Sequence, residues 1–409
     1  MTEVRLFSVA DVRFPVERAN GIQTIETCAA LARRGHVVRL LVRPDTAVPA
    51  RDPFAYYGVA PDPRLSIDRI RVAGPATLRR ITFLAGALAR TRRTGPDEVV
   101  LTRDLGFASL YLRARRPGSA MLVYESHGFA PAVSGARPTM LTGAAPPTPA
   151  KQARLLRREA WVWRRADGYA TITKALADEL AGRFGPRGAL AVVPDGARVD
   201  TARTWTPRAV ASPAVVGYSG HLYPWKGVDL LLDALAELPG VGAIIVGGHP
   251  GESDLPRLRD RADRLGLAGR VTFTGMVRPH EVAARLDAAD VLVLPNPATA
   301  VSERYTSPLK LFEYLATGRP IVASDLPAFR EVLRHGENAL LFEAGSRSAL
   351  AAAIRTVIED GRLAESIARG AFEAARAYSW DARAERLDGL FGAAAAGRRN
   401  PGEAGKAAS

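Results

Sequence analysis

Lys310 and Glu313 stand three residues apart in SERYTSPLKLFEYLATGRPIVASDLP, residues 302–327. That spacing puts both side chains on one face of a helix. Ser307 suits the N-cap, and Pro308 the first helical position, where its missing N–H costs nothing. Leu309, Leu311, Phe312 and Leu315 supply an apolar face, and Gly318 marks the stop. A helix N-terminus beside a lysine favours a phosphate. A carboxylate one turn further in can accept from two vicinal hydroxyls, such as those of a ribose. On this reading the turn belongs to a nucleoside diphosphate site. On the plain reading it is an amphipathic helix with a solvated Lys–Glu pair.

The elements around that turn alternate along the whole chain. LFSVA, VVRLLVR, DEVVLTRD and AMLVYES read as strands of a first unit. The last two end in polar residues at the C-terminal edge, where open parallel sheets bind ligands. IQTIETCAALARRG and TLRRITFLAGALARTRR read as helices, and the Pro-rich span from Asp45 to Pro63 as irregular. Ala130 to Pro149, small and Pro-rich, reads as a mobile loop, either closing over a substrate or linking elements. A helix over about 150–165 follows, then GYATIT, with Thr173 capping KALADELAGRFG, and ALAVVPDG. Asp200 to Pro213 has linker composition. Beyond it come AVVGYSG, the helix VDLLLDALAEL, GAIIVGG, a helix capped by Ser253, VTFTG, HEVAARLDAAD, VLVLP, the stretch around Lys310, with IVAS as a buried strand, NALLFEA and SALAAAIRTVIED. This alternation predicts an α/β chain of two doubly wound parallel-sheet domains, 1–203 and 213–375, joined by 204–212. A last helix, Trp380–Phe391 within about 376–396, comes too late for the second sheet and is expected to pack on the first domain. The tail after it, 397–409, is expected to fray.

Composition narrows the classes. With 409 residues, 47% hydrophobic and 24% charged, the chain is an ordinary globular sequence long enough for two cores. No apolar run approaches the roughly 20 residues that span a bilayer. The opening MTEVRLFSVADVRF reads as a first strand without the layout of a signal peptide. The single Cys28 excludes an internal disulfide and fits a reducing compartment. A cytoplasmic protein is expected, peripheral to the inner face of a membrane at most. The charge of +14 and pI near 10.4 come from arginine clustered in the first half: Arg79–Arg80, Arg90–Arg93, Arg113–Arg116 and KQARLLRREAWVWRRAD. Trp161 and Trp163 among those arginines suit an anionic membrane surface or an anionic acceptor, and a plainly solvated surface stands beside that reading. Nucleic acid is disfavoured, because no recognition module accompanies the charge. No G-x-G-x-x-G follows the first strand, no P-loop occurs, and no Asp-x-Asp or histidine cluster offers metal ligands.

The ordered motifs NGIQTIETCAALARRGHVV, VYESHG, ADGYATITKALADEL, VVPDG, YSGHLYPWKGVDLLLDAL, ADVLVLP and SPLKLFEYLATGRPIVASDLP resemble the retaining glycosyltransferases of family 4, of GT-B architecture. The resemblance covers nearly the whole chain. It implies two Rossmann-like domains facing across a cleft, a nucleotide-sugar donor (UDP- or GDP-linked) held mainly by the second, and a hydroxyl acceptor of unknown identity held mainly by the first. The acceptor classes weighed are a cell-envelope lipid, a polysaccharide or a secondary metabolite. Glu313 matches the glutamate on the nucleotide ribose, Lys226 the basic residue on the diphosphate, and Gly220 the glycine that lets backbone approach it. His127 matches the histidine near the donor sugar, and Gly21 a glycine-loop position close to the phosphates. His127, Lys226 and Glu313 are the implied catalytic set, with no metal or other cofactor expected.

Three departures bear on the donor site. His221 stands where the family commonly has arginine. Tyr305 stands where it has a first glutamate, with Glu303 two residues earlier as a candidate substitute. Lys310 matches a phosphate-binding lysine of a subset, while Thr306 and Ser307 either contact phosphate or serve as caps. Asp195 replaces the usual asparagine of VVPDG and reads as turn chemistry. A nucleotide-sugar epimerase or hydrolase of the same architecture, and a non-catalytic nucleotide-sugar binder, are the alternative functions.

Overall fold

A computed structural model of the chain describes residues 3–140 and 144–399. Contacts divide the described residues into two compact units: those within 1–134, 147–194 and 380–409 in one, and those within 135–146 and 195–379 in the other.

The first unit is a seven-stranded parallel sheet: β1 (Arg5–Arg13), β2 (Val37–Arg43), β3 (Leu65–Arg69), β4 (Val99–Thr102), β5 (Met121–Ser126), β6 (Gly168–Thr171) and β7 (Leu190–Val192). Its order is β3-β2-β1-β4-β5-β6-β7, so the direction of winding reverses between β1 and β4. β4, β5 and β6 are buried along their whole length, as strands covered by helices on both faces must be. The second unit has six parallel strands: β8 (Val215–Ser219), β9 (Gly242–Val246), β10 (Val271–Gly275), β11 (Val291–Leu294), β12 (Ile321–Ser324) and β13 (Leu340–Phe342), in the order β10-β9-β8-β11-β12-β13. Its reversal lies between β8 and β11. The two-residue period of β11 divides the core. Val291 and Val293 face a cluster with Leu231, Leu232 and Leu235, while Leu292 and Leu294 face Phe312, Leu315 and Phe329.

The chain returns to the first unit through its last helix, Trp380–Arg399. Trp380, Ala384, Leu387, Leu390 and Phe391 are buried there, each large side chain contributing about 1.5–3 kcal/mol. Cys28 is also buried in this unit as a free thiol, its pKa raised to about 12 by burial, which makes it packing rather than chemistry. No described helix is long and apolar enough to cross a membrane.

Several elements differ from the sequence reading. Ala130–Met140 is a helix rather than an irregular loop, and the Ala130 N–H at its start donates to Glu159 at 3.2 Å. Pro53–Tyr57, within the span read as irregular, forms a short helix capped by Asp52. The Gly361–Ala375 helix had no counterpart in the reading at all. The last helix continues through Gly392 and Gly397 to Arg399, and the remainder of the expected frayed tail, 400–409, lies outside the described residues. The first boundary falls after Pro194 rather than at 203, and the linker-like residues belong to the second unit. There Arg203 donates to the carbonyls of Ala316 and Thr317, and Trp205 Nε1 to that of Gly318.

One buried guanidinium holds the returning helix in register. Arg383, with no exposed surface, donates to Val193 O (2.8 Å), Pro194 O (2.7 Å), Thr27 Oγ1 (3.0 Å) and Glu125 Oε2 (2.6 Å). Removing it leaves a buried carboxylate short of its main counter-charge. Arg383→Met is expected to destabilise the first unit by about 3–5 kcal/mol, measured as a drop in its urea midpoint. An unchanged midpoint would refute the assignment.

Candidate functional site

In the second unit, β8 ends at Ser219 and the chain turns at Gly220, whose φ of 120° is open to glycine but strained for other residues. A Cβ there would lie 3.2 Å from Lys310 Nζ, so the backbone and the ammonium share one corner. The turn continues through His221 and Tyr223 into a short 3-10 segment, Pro224–Lys226, and then the Val228–Ala236 helix. Lys226 is thereby delivered to the C-terminal edge of the sheet, next to the end of β11. The missing Cβ of Gly227 lets Pro295 pack against that turn, and Asn296 Nδ2 lies 3.5 Å from Trp225 O. This is the reversal point of the sheet, where open α/β folds bind ligands.

The Leu309–Thr317 helix carries Lys310 and Glu313 to the same corner. Its start differs from expectation. Pro308 occupies the N-cap with no side-chain cap, and Ser307 Oγ instead accepts from Asp195 N–H at 3.0 Å. Ser307 is therefore committed to the turn that opens this unit. Thr306 and Tyr305 are buried, and Glu303 sits half-buried on the separate short helix Ala300–Arg304. The expected site residues Gly220, Lys226, Lys310 and Glu313 are thus brought together. Ser307 is turned to Asp195, and among the described residues no hydrogen bond or ion pair ties Glu303 or Thr306 to the lysines.

The electrostatics of this corner are unusual. Lys310 is 7% exposed, and its Nζ has no hydrogen-bond partner. It lies 3.6 Å from the centre of the Tyr218 ring, and Lys226 Nζ the same distance from that of Trp225. Burial pushes the Lys226 pKa down from 10.5 to about 7. Lys310 is pushed well below the ordinary lysine range by burial and then by repulsion from Lys226, with Glu313 opposing. Trp225 Nε1 and Asn296 Oδ1 are likewise buried without partners. Two neighbouring lysines, with Lys310 Nζ, the Trp225 donor and the Asn296 acceptor all unsatisfied, fit a polyanionic ligand with polar substituents.

His221, beside Gly220, turns its ring elsewhere. It stacks on Tyr223 with centroids 5.0 Å apart, and Nδ1 lies 3.3 Å from Glu252, which also accepts from Tyr223 Oη at 2.6 Å. Tyr223 and Glu252 had no place in the sequence reading, although His221 and Tyr223 are two apart.

The first unit holds the other expected residues. His127 follows β5, and its Nε2 is hydrogen-bonded to Glu125. Glu125 is 3% exposed and also accepts from Gln23 Nε2 at 2.7 Å, while Arg103 supports Gln23 at 3.0 Å. Burial acts to raise the Glu125 pKa, but Arg383, His127 and Arg103 outweigh it and hold the group well below the usual carboxylate range. Glu125 is therefore a fixed anion that orients His127. The two-residue spacing in YESHG could have revealed it; Arg383, distant in sequence, gave no local signal. Gly21 lies inside the first turn of the Ala19–Arg33 helix, where a Cβ would come within 2.2 Å of Tyr57 Oη. Its small size is required by that packing.

Family models match both halves of the chain: the glycosyl transferase 4-like domain over 21–196 and the glycosyl transferases of group 1 over 213–360. The chain belongs to the family 4 glycosyltransferases. Among curated family members, a phosphatidyl-myo-inositol mannosyltransferase of Mycobacterium leprae is 34% identical over 206 residues, 48% of this chain and 51% of the relative. A D-inositol 3-phosphate glycosyltransferase of Corynebacterium glutamicum is 31% identical over 196 residues, 46% of each. The chain spans about half the length of the curated relatives it matches. Among solved structures, sucrose-phosphate synthase from Thermosynechococcus elongatus superposes with a TM-score of 0.74 at 18% identity, over 95% of this chain and 98% of that one. HepE from Anabaena, in complex with UDP and glucose, gives 0.71 at 20% identity, over 95% and 100%. At these identities the likeness establishes the GT-B fold of two Rossmann-like units.

The unpaired ammonium makes a stability prediction for this family member. Folding strips Lys310 of water and lowers its pKa, so the unfolded chain binds the extra proton and wild-type stability rises with pH. Lys310→Met is expected to stabilise the empty protein by about 1–3 kcal/mol. The gain should be larger at pH 6 than at pH 9, as read by chemical denaturation at the two values. A destabilised variant at pH 6 would show that the ammonium is compensated.

Proposed function

We propose that the chain is a retaining, metal-independent glycosyltransferase that moves a hexose from a UDP- or GDP-sugar to an acceptor hydroxyl. The observation that carries this reading is the buried, unpartnered Lys310 ammonium facing Gly220 beside Lys226. The cost of holding two desolvated lysines together falls when a diphosphate arrives between them, and it falls further as negative charge builds on the leaving nucleoside diphosphate. Glu313, on the same helix, accepts from the ribose hydroxyls. His127, held by Glu125, contacts the donor sugar. The acceptor attacks from the face that the leaving group vacates, and its proton passes to a phosphate oxygen, so no carboxylate nucleophile is needed. The UDP and glucose bound by HepE support the donor class, and the activities of the curated relatives support transfer of a sugar to a hydroxyl-bearing acceptor.

Two measurements test this. Lys226→Ala and Glu313→Ala should each lower turnover by about 10²–10³-fold with the fold intact, while turnover in wild type should be unaffected by EDTA and retain the anomeric configuration. Product formed equally well without acceptor would instead indicate a hydrolase or epimerase. Full turnover in both variants would remove the site assignment.

Proton uptake supplies the second measurement. Lys226 is half-charged near pH 7 in the empty protein, and a bound diphosphate restores its charge. The complex therefore holds more protons than the free protein above pH 7, and affinity falls as pH rises through that value. Calorimetry with UDP-glucose at pH 8 should give a binding enthalpy that varies with the buffer's ionisation enthalpy. A buffer-independent enthalpy would mean that no lysine titrates.

A further inference from the structure

The first unit carries an excess of positive charge at its own reversal point. Arg80, on the Ala76–Thr91 helix, bridges Asp11 at the end of β1 and Asp104 just beyond β4. Its Nη2 would lie 2.6 Å from a Cβ at Gly106, and Arg158 Nη1 would lie 3.8 Å from the same point. Arg158 comes from a different element, the Pro149–Arg165 helix, so two guanidinium groups converge beside Gly106, with Asp104 Oδ1 at 3.2 Å from the same point. Among the described residues Arg158 makes no hydrogen bond and no ion pair. The carboxylate that acts on it, Asp104, is already bridged to Arg80. Arg154 and Arg113 stand on the same group, and burial together with repulsion from Arg154, Arg113 and Arg80 pushes the Arg158 pKa down. Arg113 is itself bonded to the Ser109 carbonyl, and Arg154 is exposed.

Four arginines against two carboxylates, with one guanidinium fork free and half-buried, is an arrangement that a dianionic oxygen group would complete. Arg43, 2.9 Å from Asp11, and Arg79, the chain neighbour of Arg80, both line an open cavity of about 520 Å³ that also includes Asn20. Asn20 Oδ1 is a buried acceptor without a partner.

We propose that Arg158, with Arg154, Arg113 and Arg80, forms an anion subsite in the first unit that holds the phosphate group of a phosphate-bearing acceptor. The role as an acceptor subsite rests on the transferase reading above; the binding of phosphate does not. The phosphate is a soluble monoester or the headgroup of a membrane lipid. Leu78, Ile81 and Leu156, exposed apolar side chains on the two contributing helices, are the reason to test the second source.

The test uses the full chain with saturating UDP, so that phosphate cannot report on the lysine corner. Calorimetry with glycerol 3-phosphate, with glycerol as the uncharged control, forms one arm. Co-sedimentation with vesicles of phosphatidic acid, whose headgroup is a phosphate monoester, in phosphatidylcholine, against phosphatidylcholine alone, forms the other. Arg158→Gln is expected to weaken binding by about 10-fold or more, the loss of one charge-assisted forked contact. Arg158→Lys should recover part of it, and UDP affinity should stay within about twofold in both, as expected for a group outside the lysine corner. Binding of glycerol 3-phosphate identifies a soluble ester, and binding only to the anionic vesicles identifies a lipid-borne phosphate; either supports the subsite if it depends on Arg158. If Arg158→Gln fails to fold, Arg154→Gln on the exposed face carries the same comparison. Wild-type affinity in the variants on both arms, or no binding by wild type on either, overturns the proposal. Arg158-dependent phosphate binding in a protein that ignores UDP would leave the subsite standing and remove the donor reading.

Discussion

Two lysine amines crowded at one strand edge, Lys310 buried and Lys226 half-buried, set the terms for the second unit. Aromatic faces beneath them, Tyr218 under Lys310 and Trp225 under Lys226, return about 0.5–2 kcal/mol each. Desolvating an ammonium costs several kcal/mol. The aromatic rings therefore cannot balance the burial, and the deficit shows as lowered lysine pKa values rather than as ion pairs. Such a corner is stable only because the surrounding framework over-determines it. Tyr314 Oη, for instance, accepts from the Ser219 N–H at 2.7 Å, locking the Lys310 helix to the end of β8. On the proposed reading, that rigidity leaves little reorganisation to be done when a counter-anion arrives.

The same topological device appears in both sheets with different chemistry. Each is wound in two directions from a central strand, so that helices leave on opposite faces and a crevice opens at the reversal. In the second unit that crevice carries lysines, a glycine and unsatisfied polar atoms. In the first it carries carboxylates and arginines, many of them already paired, as in Arg80 with Asp11 and Asp104 or Arg51 with Asp45 and Glu17. Paired surface arginines add little stability. What distinguishes Arg158 is that it is half-buried and still has no such partner among the described residues, in a neighbourhood where the available carboxylate is taken.

How much of this was legible beforehand follows the range of the interactions. Period-3.6 and period-2 patterns are local, so the alternating elements and the helix bearing Lys310 and Glu313 could be read directly. The N-cap was misassigned because Ser307 satisfies both a capping preference and a distant backbone donor, Asp195, and the tertiary bond prevailed. Linker composition misled at Asp200–Pro213, since Arg203 and Trp205 find carbonyl partners more than a hundred residues away. His127 was readable from its motif, whereas Arg383, which steadies its carboxylate partner, carries no pattern at all. Lys226 and Lys310 were each legible as cations; that they repel one another while buried was not, because burial is a property of the packed chain.

The net charge of +14 can be revisited with the pairs in view. A sequence-level excess suggests a uniformly basic surface, yet the packed first unit spends much of its arginine internally: Arg383 on Glu125, Arg398 and Arg115 on Asp167, Arg34 on Asp388. Each such pair removes a positive group from the long-range field while leaving the total unchanged. The field that remains is therefore concentrated where pairing fails. Among the described residues, the fold leaves the half-buried fork of Arg158 open beside a glycine at the reversal of its sheet. Charge of that kind selects for the geometry of a ligand's oxygens as well as for its sign, which separates a recognition site from a merely basic surface.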